Sequence, residues 1–88
     1  MSDKADLYEK TDRYHGMLEE ALSNLRVTQM GEEIEKIVDE FLTMAESYYR
    51  DGIHFRKEGD MVNALICFTY GHGWIDAGVR LGIFAVNR

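Results

Sequence analysis

With 88 residues and a formal net charge of −6, the chain has room for one domain, spanning 1–88, and carries the wrong sign to track a nucleic-acid backbone. A single cysteine, Cys67, excludes an internal disulfide and a cysteine-rich zinc site, and the absence of proline argues against a turn-rich β fold. The opening Met1-Ser2-Asp3-Lys4-Ala5-Asp6 is charged and has no apolar signal core, so a cytoplasmic location is expected.

Three segments show helical periodicity, predicting an all-α, up-down-up three-helix bundle with helices at about 4–27, 32–58 and 60–84. In the first, Leu7, Thr11, Tyr14, Leu18, Ala21 and Leu25 recur at steps of three and four, and Ser2 or Asp3 can cap its start. Thr28-Gln29-Met30-Gly31 breaks the pattern. Glu32, Glu33 and Glu35 then supply the negative charge that a helix N-terminus favours. The second helix carries its apolar stripe on Ile34, Val38, Phe41, Ala45, Tyr48, Gly52 and Phe55. Gly59-Asp60 is the sharpest boundary: the glycine suits a left-handed C-terminal position, and the aspartate can cap the next helix at once. A turn this short makes helices two and three an antiparallel hairpin.

The third helix is apolar nearly all the way round. Met61, Ala64, Leu65, Phe68, Ile75 and Val79 form one face, while Ile66, Ala77 and Phe84 point roughly opposite. A membrane span over 64–86 would bury Asp76 and Arg80, at about 2.5–3.5 kcal/mol each, and His72 besides. No membrane partner is therefore expected. A central helix whose back is covered by a second copy or by another protein is the favoured reading, with Ile66, Tyr70, Ala77 and Phe84 as its interface. Gly71, Gly73, Gly78 and Gly82 each cost about 1 kcal/mol in a helix interior. Close approach of other groups is expected there, with Tyr48 and Phe55 as candidates to fill the notches.

Candidate chemistry gathers on the same helix. His72, Asp76 and Arg80 stand four apart and form a ladder. Such a ladder can be a structural hydrogen-bond run, or it can hold an anion or a general base, with Trp74 beside it to stack on a ligand. His15, His54 and His72 lie on three different helices without ligand-like spacing, so no metal is expected. No glycine-rich phosphate loop is present, and no cofactor is expected.

Two resemblances emerge from Gly52 to Gly82. Gly52, Phe55, Gly59-Asp60, Ala64 and Phe68 resemble a single tetratricopeptide hairpin, a packing likeness and not a repeat array. Met44-Ala45-Glu46-Ser47-Tyr48-Tyr49-Arg50-Asp51-Gly52, then Gly59-Asp60, then Tyr70-Gly71-His72-Gly73-Trp74-Ile75-Asp76-Ala77-Gly78-Val79-Arg80-Leu81-Gly82 resemble the archaeal family known as domain of unknown function 357. That resemblance covers the second and third helices and, more loosely, the first. It implies a short archaeal cytoplasmic helical bundle and no assigned activity.

Overall fold

A computed structural model describes residues 3–87, with side chains from Ala5 onward. The chain runs α1 (Asp3–Asn24), β1 (Leu25–Val27), α2 (Glu32–Lys57), α3 (Met61–Leu81) and β2 (Phe84–Val86). The three helices form the expected all-α bundle. The cap expected from Ser2 or Asp3 rests on side chains outside those described.

The α2–α3 hairpin follows from local chemistry. Gly59 takes φ +80°, a value that glycine adopts without penalty. Its N–H reaches the Arg56 carbonyl at 3.0 Å, and the Asp60 N–H reaches the Phe55 carbonyl at 2.8 Å. This is the paired bonding that closes a helix C-terminus. Asp60 then accepts from the Asn63 N–H at 3.1 Å and from its side-chain amide at 2.7 Å. Those two bonds, the side-chain one first, hold the Asp60 carboxyl below its ordinary range.

Helices one and three both stop short of their predicted ends. α3 halts because Gly82 turns left-handed at φ +80°, with the Gly82 and Ile83 N–H groups bonded back to the Val79 and Gly78 carbonyls at 3.0 Å each. The chain then reverses, and β2 pairs antiparallel with β1: Leu25 opposite Val86, Arg26 opposite Ala85, Val27 opposite Phe84. Thr28 donates its hydroxyl to the Gly82 carbonyl at 2.6 Å, tying the ribbon to the end of α3. Phe84 is therefore not on the back of a helix. It is 3% exposed and packs with Val38 and Ile83, which corrects its place among the interface residues.

α3 is the central element. It packs against both α1 and α2, which touch each other far less. The main core holds Leu18, Ala21, Ala45, Ala64, Phe68 and Ile75. Its small residues let the helices approach: the Phe68 ring lies where a side chain on Gly52 would stand, and Leu18 and Tyr48 crowd Gly71. The Phe84 ring fills the space at Gly78. Tyr48 thus fills one predicted notch, but Phe84, not Phe55, fills the next. Gly73 alone of the helical glycines in α3 faces open space.

Candidate functional site

Three surfaces of α3 carry the candidate residues. The outward one is a stripe running the length of the helix. Val62 is 56% exposed, Ile66 43%, Tyr70 61% and Leu81 60%. Gly73, exposed, and Ala77, half-buried, lie between them. Steps of four and three keep these residues on one side of the helix, opposite Ala64, Phe68, Gly71 and Ile75 in the core. Ile66, Tyr70 and Ala77 sit where the sequence puts them. Val62 and Leu81 extend the stripe one turn at each end and were missed, although each stands four residues from a member already named.

The second surface faces α1. His72 Nδ1 lies 3.3 Å from Asp76 Oδ2, with the imidazole half-buried and the carboxylate exposed. Both line a cleft of about 460 Å³ that α1 closes with Met17 and Glu20, and the chain end with Asn87. Arg80 is exposed, lines no part of this cleft, and makes no ion pair with Asp76 among the described residues. The ladder is thus two rungs, not three. Trp74 is on the third surface, edge-on to Phe41 of α2 with ring centroids 5.0 Å apart at 82°. It belongs to the seam between α2 and α3, away from His72.

The most tightly engaged histidine is one the spacing did not single out. His15 of α1 stacks on Phe68 at 4.5 Å and 12°, and its Nδ1 lies 2.9 Å from the Arg56 guanidinium. Arg56 also bonds Asp12 at 3.3 Å and covers the Tyr8 ring at 5.3 Å. A guanidinium only donates, so Nδ1 accepts and the ring is neutral, with its proton on Nε2. Burial, and then the Arg56 charge, hold this imidazole below its ordinary 6.5 against the opposing pull of Glu19 and Asp12. The unfolded chain therefore takes up the proton first as the pH falls. The contribution of neutral His15 to stability is whole above about pH 6.5 and is lost as the pH drops through the lower folded value. Thermal melts between pH 7.5 and 5 should fall more steeply for the wild type than for His15→Gln; parallel slopes would refute this.

Among the described residues, no group of three His, Cys, Asp or Glu stands where it could hold a metal ion, and no helix is long and apolar enough to cross a membrane. Cys67 is buried, and burial pushes its thiol up. Neither a curated protein nor a solved structure matches the chain. A family model described as Protein of unknown function (DUF357) matches residues 13–84, taking in the second half of α1 and all of α2 and α3. The likeness first visible in the second and third helices thus extends over the bundle, and the chain belongs to the DUF357 family.

Proposed function

We propose that this protein is an association module whose working surface is the outward stripe of α3. One observation carries the reading: the central helix of the bundle, packed on two sides, presents apolar side chains on its third side from Val62 to Leu81. The largest exposed apolar patch of a small protein is often a functional one. The chain is acidic, yet no carboxylate interrupts the line of Val62, Ile66, Tyr70, Ala77 and Leu81. The stripe itself thus adds no like-charge repulsion to that of the rest of the surface.

A second reading rests on the cleft at His72 and Asp76. Glu20 adds a second carboxylate there and Arg80 does not reach it, so the lining favours a cationic or proton-donating ligand over an anion. One substitution separates the two readings. Ile66→Glu places a charge in the stripe and leaves the cleft, on the flank facing α1, untouched. The wild type should form dimers or larger species by light scattering, and the variant should associate at least tenfold more weakly with unchanged helicity. A wild type that stays monomeric and captures no protein partner would remove the association reading; it would leave the cleft reading standing, to be tested by His72 chemical shifts.

A further inference from the structure

The stripe has an internal symmetry. Val62 and Leu81, Ile66 and Ala77, and Tyr70 and Gly73 are each equidistant along α3 from the point between Gly71 and His72. Two copies of α3 laid antiparallel about that point meet in layers, each holding one member of a pair from each copy. The two inner layers match large with small, Ile66 beside Ala77 and Tyr70 beside Gly73, and the outer layer sets Val62 beside Leu81. Within α3, Gly73 is the glycine whose lack of a side chain the protomer does not use, since a methyl there would meet nothing within 4 Å. Tyr70 is the most exposed large side chain of the stripe.

We propose that two copies of this chain pair through α3 as an antiparallel, two-fold dimer, with Tyr70 of each copy filling the space left at Gly73 of the other. This rests on the association reading above and names its partner and register. A two-fold interface must be self-complementary, each patch meeting its own copy, and the paired spacing of the stripe satisfies that condition.

Charge selects the antiparallel direction. Arg80 is exposed at the rim of the stripe near the C-terminal end of α3. Parallel pairing would set Arg80 against Arg80, whereas antiparallel pairing places the two at opposite ends of the seam. The area available is small but sufficient. Side chains of this size present on the order of 150–200 Å² each, so the exposed fractions leave about 400 Å² of apolar surface per copy. With Asn63, Thr69 and the Arg80 stem at the rim, the pair removes about 1,000 Å², the lower edge of specific interfaces. A weak, reversible dimer is expected.

The test uses the full chain with single introduced thiols and a short bismaleimide. In the proposed dimer, Ile66 of one copy lies in a layer with Ala77 of the other, whereas the two Ile66 residues are about 16 Å apart along the axis. An equimolar mixture of Ile66→Cys and Ala77→Cys proteins should cross-link at least tenfold more than either alone. The unsubstituted protein, whose Cys67 is buried, is the blank. Gly73→Leu should weaken dimerisation at least tenfold. Gly16→Leu, made at an equally open helical glycine of α1, should not. Preferred self-linking of Ile66→Cys would replace this arrangement with a parallel one. A dimer seen by light scattering that cross-links in neither way would overturn the register while sparing the association reading. A protein monomeric at millimolar concentration would end the dimer, and the association reading with it where no protein partner is captured either.

Discussion

Phe68→Ala is expected to cost about 3–5 kcal/mol, the range for removing a buried aromatic ring, and to leave much of the population unfolded. The ring is fully buried. It stacks on His15, meets Tyr49 at 6.3 Å and lies over Gly52, where a side chain would overlap it. Gly52 is the reason to expect the upper half of that range. A glycine offers nothing that can swing into the vacated space, so the cavity stays open along the α2–α3 seam. The same truncation frees His15 from its stacking partner and loosens the hold of α1 as well. Chemical denaturation should show the loss as a lower midpoint. Phe68→Leu, which keeps part of the volume, should recover about half of it. A loss under 1 kcal/mol for the alanine variant would mean that the helices close around the gap, contrary to the glycine–ring packing described.

What the sequence made legible follows the range of the interactions. The α2–α3 hairpin was readable because Gly59 and Asp60 act within five residues of themselves: one closes a helix, and the other caps the next. Ile66, Tyr70 and Ala77 were readable as an outward stripe because they lie in the middle of α3, where one helical period holds. His72–Asp76 was readable because i, i+4 spacing brings the two side chains together on any helix. The helix ends were not. Leu25 and Val27 continue the apolar spacing of α1, and Ile83 and Phe84 that of α3; what draws them off is strand pairing between segments about 60 residues apart. Gly82 gave no distinct stop signal, since Gly71, Gly73 and Gly78 stand in the same helix without ending it. The cleft at His72 needed Glu20 and Met17 from α1, and the neutral state of His15 needed Arg56 from α2. Both are contacts between helices that periodicity does not register.

The identity of that helix end governs the second large effect. A helix continuing to residue 84 would put Phe84 on its exposed back, and Phe84→Glu would then change assembly without touching the fold. With α3 closed at Gly82, the same substitution should unfold the domain. The ring fills the space at Gly78, meets Phe41 at 6.4 Å and 73°, and packs with Val38 and Ile83. Replacing it forfeits about 3–5 kcal/mol of packing and sets a carboxylate among apolar neighbours, for a further cost of several kcal/mol. The sum rivals the whole stability expected of a domain this size. Circular dichroism should show lost helicity and a melt shifted far down or abolished, while Phe84→Leu remains folded with a loss of about 1–2 kcal/mol. Ile66→Glu is the internal control, the same kind of charge placed on the exposed side of α3, and its melt should stay within about 1 kcal/mol of the wild type. Equal melts for Phe84→Glu and Ile66→Glu would mean that α3 runs on past Gly82. The ribbon of β1 and β2, and with it the second core of Val38, Ile83 and Phe84, would then have to be given up.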